Sequence, residues 1–453
     1  MHSDNRRQAV MRDLTRLAVR EAESQGANEA EAFAVSMAES EVFLENNDIK
    51  QAKSQQMGSI GMRVIVDGSV GFYSVNRLTK DAVRDAAVMA VKIAKVSPPD
   101  RFNSLPAKSS KVPHLRGVYD RATEDFGAAE AARCAADLLK AATAADPRIT
   151  VDSGNFSAAR ISQQISNSNG LELFEKLSTF SWSIMGMAID AGEVSSFDFQ
   201  AGSSHSVKKI DVLATAAEFA RTVLGSLKPK KIQSFRGEML LAPSASTELV
   251  EEVISHSVNS DAVQKKSSAF AGKIGKPVAS DLLSLEDDAT NAEGLGASSF
   301  DREGVAHRRN TVIEKGILKK FLYNTYTARK DGVRSTGNAG GTSTSPPSVS
   351  TTNFVVRPGT EPLETLISEM KKGIIVSRFS GNVNPVNGDF SGVVKGGKLV
   401  VGGSIVGAVK EVMVAGNIFR ALKDLDGVSK ERKVILSSIL PYMRFRNISF
   451  TGG

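Results

Sequence analysis

Along the chain, stretches with apolar residues at every third or fourth position alternate with β-branched and aromatic runs, and glycine, asparagine and aspartate mark the joins. Asp13–Glu23 reads as a helix stopped by Gly26-Ala27-Asn28, with Ala32–Met37 and Glu41–Glu45 as strand material behind it. Met62–Val66 and Ser69–Val75 flank Asp67-Gly68, whose residues tolerate the positive φ of a two-residue hairpin turn. Leu78–Val96 is a long alanine- and valine-rich helix, and Pro98–Pro113 a linker. A second unit opens with a helix over Glu124–Ala144. Its strands follow at Ile149–Ala159, Ile161–Ser166, Leu171–Ser178, Phe180–Asp190 and Glu193–Gly202, with Asn167–Gly170 as one turn. Short strands joined this way indicate an antiparallel sheet, covered by a helix over Val207–Leu227. Lys228–Lys231 is the second linker.

The third unit starts at the strand Arg236–Leu241. It continues through strands at Asn310–Ile313 and Ile317–Tyr323, a glycine, serine and threonine loop at Gly332–Ser350, and a helix at Pro362–Gly373. Meandering strands at Phe390–Val394, Lys398–Val400 and Gly402–Val412, a short helix Ala415–Leu425 and a closing strand Tyr442–Phe450 complete it. The fold class is therefore α+β: N-terminal α/β units whose mostly antiparallel sheet is flanked by helices, then a β-rich C-terminal domain. The expected domains are residues 1–110, 111–231 and 232–453.

One predicted helix carries the candidate chemistry. It begins near Pro243-Ser244, with Glu248 in its early turns opposing the helix dipole. Leu249, Val250, Val253, Ile254 and Val258 form its apolar stripe, which leaves Glu251, Glu252, Ser255, His256 and Asn259 on the polar side. Glu252 and His256 are four apart and can touch. Zinc proteases place two histidines on a helix with a glutamate beside the first as general base. Here a glutamate, Glu251, stands where the first histidine would. On spacing alone the segment equally describes a solvated Glu–His pair on an amphipathic helix.

Composition narrows the alternatives. With 453 residues, 41% hydrophobic and 24% charged, the chain is a globular one of two or three domains. The single Cys134 excludes an internal disulfide framework and any multi-cysteine metal site, and is expected to be buried in its helix. No signal peptide or membrane-spanning stretch is apparent, so the expected location is cytoplasmic and no membrane partner is expected. The net charge of +7 is spread over separate clusters, Lys228–Lys231, Lys319–Lys320 and Lys371–Lys372, without interleaved aromatics. Nucleic acid is thus not an expected partner. His114, His205 and His307 read as isolated surface or packing histidines, and Asp287-Asp288 as solvated or capping residues. Neither a nucleotide-binding glycine fingerprint nor a Gly-x-Ser-x-Gly elbow occurs in a suitable setting.

Several segments, in order, resemble the TldD/PmbA family over almost the whole chain. They are Gly61–Val64 with Asp67–Phe72, Asn167–Gly170, Phe270–Gly275, Asp287-Asp288, Phe300–Val305, Ile313–Leu318, Thr336–Asn338 and Ile448–Gly453. TldD-type members carry His-Glu-x-x-x-His and complete the metal site with a later cysteine. Counting back from Phe270-Ala271-Gly272, the resemblance lays Glu251 on the first histidine, Glu252 on the catalytic glutamate and His256 on the second histidine. The cysteine would fall near Gly427-Val428-Ser429, where there is no thiol, and Cys134 lies in another unit.

The resemblance implies a non-catalytic TldE/PmbA-like subunit, without a cofactor, of a TldD–TldE type complex that processes unfolded peptides. The implied partners are a TldD-like metallopeptidase or a second copy of the chain, and extended peptides held by strand addition. Gly337–Gly341 and Gly396–Gly403 could give such peptides close backbone approach, or be ordinary loop punctuation. The alternative is a divergent zinc metallopeptidase acting alone, with Glu251 and His256 as metal ligands and Glu252 activating water. A role at DNA, suggested by the family's older label as a modulator of DNA gyrase, has no support in the charge pattern.

Overall fold

The computed structural model describes residues 2–108 and 112–452, with side chains from residue 8 onward. The expected boundary between 110 and 111, and Gly453 at the end of the last matched segment, lie outside the described residues. Helix α1 (His2–Ser24) leads into three antiparallel strands, β1 (Glu29–Glu45), β2 (Asp48–Val66) and β3 (Ser69–Val75), followed by α2 (Lys80–Val96). After α3 (Ala128–Ala145) come β4 (Ile149–Asn167), β5 (Glu172–Asp190), β6 (Glu193–Val194), β7 (Asp198–Ser204) and α4 (Val212–Leu224).

Tight turns set the register of these strands. Asp67-Gly68 has φ of 48° and 82°, the two positive values a hairpin turn of this length requires, and Asn46-Asn47 does the same at 51° and 62°. The strands expected as separate pieces are continuous: β1 spans both of its predicted halves, as do β4 and β5. Their polar interruptions are residues on the exposed face or on the far ends of long hairpins, where pairing rather than burial holds the strand. The first half of β2, from Asp48 to Gln56, is almost wholly exposed and still paired with β1.

All seven strands form one sheet in the order β3-β2-β1-β4-β5-β6, with β7 on β5. The two N-terminal units therefore share a sheet: β1 pairs antiparallel with β4 from Glu31↔Asn167 to Glu45↔Ser153. Helix α1 and the alanine-rich α2 pack on the β1–β3 part, with Ala86, Ala87, Ala90 and Ala94 fully buried against Ile60, Met62 and Val64. The small side chains let backbone approach backbone. At Gly71 in β3 an added Cβ would lie 1.9 Å from the carbonyl oxygen of Ala90. Helices α3 and α4 cover the rest of the sheet around Phe156, Phe180 and Trp182.

The remainder is a second sheet of thirteen strands among the described residues. Its strands are β8 (Phe235–Leu241), β9 (Leu285–Asp288), β10 (Arg309–Glu314), β11 (Ile317–Leu318), β14 (Phe354–Val356), β15 (Lys372–Val376), β16 (Arg378–Val383), β17 (Asp389–Lys395), β18 (Lys398–Val401), β19 (Ser404–Ala408), β20 (Met413–Asn417), β21 (Leu425–Ile435) and β22 (Ser438–Thr451). A separate small hairpin, β12 (Ala339–Gly340) with β13 (Ser348–Val349), lies within the stretch expected to be only loop.

The short helices here are α5 (Pro243–Ser246), α6 (Glu252–Val258), α7 (Ser260–Gln264), α8 (Thr325–Asp331), α9 (Leu363–Ser368) and α10 (Ile418–Ala421). Two expected helices shrink. The Pro362–Gly373 segment gives way to β15 at Lys372, which pairs with β8 and β18, and Ala415–Leu425 keeps only the four residues of α10. Lys372 and Gly373 at the end of the first, and Ala415–Asn417 and Leu425 at the two ends of the second, are taken up by sheet pairing. The result is α+β with a β-rich C-terminal domain. Among the described residues no helix is long and apolar enough to cross a membrane.

Candidate functional site

The helix singled out above is segmented. After β8 the chain turns through Pro243 into α5, passes through a π-helical turn over Thr247–Glu251, and resumes as α6. Its predicted apolar stripe is the part driven into the core: Leu249, Val250, Val253, Ile254 and Val258 are at most 1% exposed. Glu248, expected in the early turns opposing the helix dipole, accepts the Phe379 N–H at 2.8 Å, and burial raises its carboxyl pKa.

Glu251 is half-buried and accepts a 2.6 Å hydrogen bond from Ser438 Oγ at the start of β22. Burial pushes its carboxyl up to about 7, which the Ser438 bond only partly offsets. Glu252, the next residue, is exposed. His256 donates from Nε2 to the Ser267 carbonyl at 3.0 Å, a bond that orients its ring. Between them, Ser255 Oγ is buried without a partner.

This donor set does not fit a zinc ion. Glu251 and His256 keep the five-residue interval of His-Glu-x-x-x-His, so spacing does not decide the matter. The two side chains engage different partners, Ser438 and Ser267. At the place the resemblance gives to the cysteine, Ser429 is fully buried; its hydroxyl donates to Glu431 O at 2.7 Å and accepts from Tyr442 N at 2.9 Å. A satisfied hydroxyl is not a substitute for a thiolate ligand. Among the described residues no three histidine, cysteine or acidic side chains converge as a metal site.

A second constellation lies elsewhere, at the seam between the first sheet and the C-terminal domain. Glu31 of β1, Arg63 of β2 and Arg302-Glu303 form a buried ionic square. Arg63 donates to Glu303 at 2.6 Å and to Glu31 at 2.7 Å, Arg302 donates to the other Glu31 oxygen at 2.9 Å, and Glu303 also accepts the Thr325 N–H at 2.8 Å where α8 starts. Burial works against the charge on Arg63, but Glu31 and Glu303 outweigh it and leave its pKa raised. For Arg302 burial prevails: Glu31 offsets it incompletely and Arg63 adds to it, so the pKa is lowered. Arg302 lies over the Phe33 ring, 4.3 Å from its centre, and donates from Nε to Thr342 O; its Nη2 is buried with no partner. Beside it is a cavity of about 410 Å3 bordered by Phe33, Ser298, Arg302, Gly341, Thr351 and Leu436.

Arg63 was visible as part of Gly61–Val64 and Arg302-Glu303 as part of Phe300–Val305, but no spacing in the sequence links the two or singles out Glu31. The Asp287 reading needs correction. Asp287 is 2% exposed and accepts from Asn338 Nδ2 at 2.6 Å and Thr352 N at 2.6 Å, because β9 lies inside the second sheet. Asp288 does cap its turn, accepting from Thr290. His205 and His307 are buried packing histidines and His114 is exposed. Cys134 is only half-buried against the α3 core. Of the two glycine segments, Gly396–Gly403 serves turns packed on Ser377, Val394 and Ser368, whereas Gly341 reaches the cavity.

Three family models match the chain in order: PmbA/TldA metallopeptidase domain 1 at residues 30–94, the central domain at 122–227 and the C-terminal domain at 235–452. An uncharacterized protein of Methanocaldococcus jannaschii is 28% identical over 418 residues, covering 91% of this chain and 95% of its own. A metalloprotease TldD homolog of Buchnera aphidicola is 26% identical, with coverage of 86% and 83%, and a metalloprotease PmbA homolog of Haemophilus influenzae 27%, with 85% and 83%. Among solved structures, TldE from Thermococcus kodakarensis superposes with a TM-score of 0.91 at 23% identity, covering 98% of this chain and all of that one.

Proposed function

The chain belongs to the PmbA/TldD metallopeptidase family, and we propose that within it this is a TldE/PmbA-type subunit, non-catalytic by itself. In this reading it pairs with a TldD-type metallopeptidase, and the pair processes unfolded peptides. The observation that carries it is Glu251: the position laid on the first metal-binding histidine holds a carboxylate tied to Ser438, while His256 is tied to Ser267. The fold likeness to a protein named TldE agrees with it, while near-equal identities to TldD and PmbA homologs do not separate the two sides. The alternative of zinc held by Glu251 and His256, with Glu252 as base, gains nothing from this geometry.

Two measurements test the proposal. Metal analysis of the purified chain should find zinc well below one per chain, and mixing with a TldD-type protein bearing an intact His-Glu-x-x-x-His should give a stable complex by size-exclusion chromatography with light scattering. Stoichiometric zinc, lost together with peptide hydrolysis in His256→Ala, would overturn it.

A further inference from the structure

We propose that a cavity between β5 and the segment from His114 to Tyr119 is a binding site for a free α-amino acid, whose ammonium group meets Glu175 and whose carboxylate meets Arg116. This goes beyond the subunit reading and does not rest on it. Strand β7 pairs with β5 only from Phe180 to Gly186. Past that stretch the segment 114–119 runs beside β5 instead, fixed where Val118 O accepts the Ser178 N–H at 3.0 Å and where the Leu115 N–H reaches Ser299 Oγ at 3.5 Å. The cavity left between them holds about 460 Å3, within the range of small-molecule sites, and no residue of the Glu251–His256 helix borders it.

Glu175 is the reason to expect a ligand there. It borders the cavity at 8% exposure, and every donor bound to its carboxylate is neutral. These are the Ser299 N–H at 2.9 Å, the Ser299 hydroxyl at 2.5 Å and Gln163 Nε2 at 3.1 Å. Buried carboxylates are ordinarily matched by a cation, yet among the described residues no lysine or arginine forms an ion pair with this one. Burial accordingly raises its pKa, against these bonds and the more distant, exposed His114. An ammonium group in the cavity would supply the missing counter-charge.

The rim carries the opposite sign and selects the rest of the ligand. Arg116 borders the cavity from an exposed position and makes no ion pair among the described residues. Lys176 borders it too, with Nζ 5.3 Å from the centre of the Tyr119 ring. A simple amine would bring a further positive charge beside these cations, and a simple carboxylate a further negative charge beside Glu175. A zwitterion sets each of its charges against the opposite one and leaves the net charge of the site unchanged. Leu115, Val118 and Phe174 supply apolar wall for an aliphatic side chain.

The test uses the whole chain and three probes, L-leucine, N-acetyl-L-leucine and L-leucine amide, titrated by NMR or calorimetry. L-Leucine should bind saturably, and each blocked form about tenfold or more weaker. Arg116→Ala, at an exposed position, should weaken L-leucine by a similar factor and remove its advantage over the amide. Glu175→Gln, which keeps the size of the side chain, should weaken L-leucine and remove its advantage over the N-acetyl form. It is read only if its melting temperature stays near that of the parent; Arg116→Ala carries the test otherwise. No saturable binding of L-leucine, equal binding of either blocked form, or binding indifferent to Arg116→Ala would each overturn the inference.

Discussion

At the scale of single residues, Glu251 is where chemistry and stability meet. Its ordinary pKa is 4.5, and in the folded chain burial lifts it to about 7. Below 4.5 the carboxyl is protonated in both states and contributes nothing. Between 4.5 and about 7 the unfolded chain ionises first, so folding loses stability as the pH rises through that window and regains none above it. Glu251→Gln should therefore stabilise the fold by roughly 1–3 kcal/mol at pH 8 and leave it nearly unchanged at pH 4, read as the difference between the two melting curves across pH. A variant less stable than the parent at pH 8 would show that the ionised carboxylate has a partner worth more than Ser438. That a glutamate stands at this position on the polar side of its helix was legible in the sequence. Its environment was not. Ser438 lies 187 residues away, and helical periodicity places Glu251 only on a polar side, without saying that a strand covers it. The same holds for Glu248 and Asp287, acids that hydrophilicity assigns to solvent and the sheets bury.

At the scale of elements, the reading succeeded where local chemistry decides and failed where pairing does. Asp67-Gly68 formed its hairpin because both residues accept positive φ, and the stripe Leu249–Val258 was buried as a face. The polar half of β2 gave no alternation to read; hydrogen bonding to β1 holds it extended against its composition. Strand β15 was missed because only Lys372 and Gly373 overlap the helix read over Pro362–Gly373, and Ile374–Val376 are too short a run to read until β8 and β18 claim them. The packing of α2 on β3 gives a sharper prediction. Gly71→Ala must push the Ala90 carbonyl out of α2 and should cost about 1–3 kcal/mol by chemical denaturation. At Gly170, where an added Cβ meets nothing within 4 Å, only the positive φ of 81° opposes alanine, and the loss should be smaller.

At the scale of the molecule, the contacts that join distant parts of the chain could not be read in the sequence. The ionic square of Glu31, Arg63, Arg302 and Glu303 joins residues more than two hundred positions apart, and Phe33, Ile165, Leu171 and Phe300 close a small apolar core beside it. Removing one corner leaves a buried charge exposed to no solvent. Glu31→Ala should destabilise by about 3–5 kcal/mol, and hydrogen exchange should report the loss along β1 and β12 more than along α6. Protection lost evenly through the chain would mean that the square does not hold the seam.

The shared first sheet also has a history in time. On the ribosome, β1 through β3 are synthesised well before β4, and the inner edge of β1 has no partner until some 100 residues later, about 5–20 s at ordinary elongation rates. During that interval a 17-residue strand edge is open to any other nascent chain. The vulnerable species in making this protein is thus a half-translated one, and slowing synthesis between residues 76 and 148 should increase its capture by chaperones, whereas slowing it after residue 204, once the sheet is closed, should not.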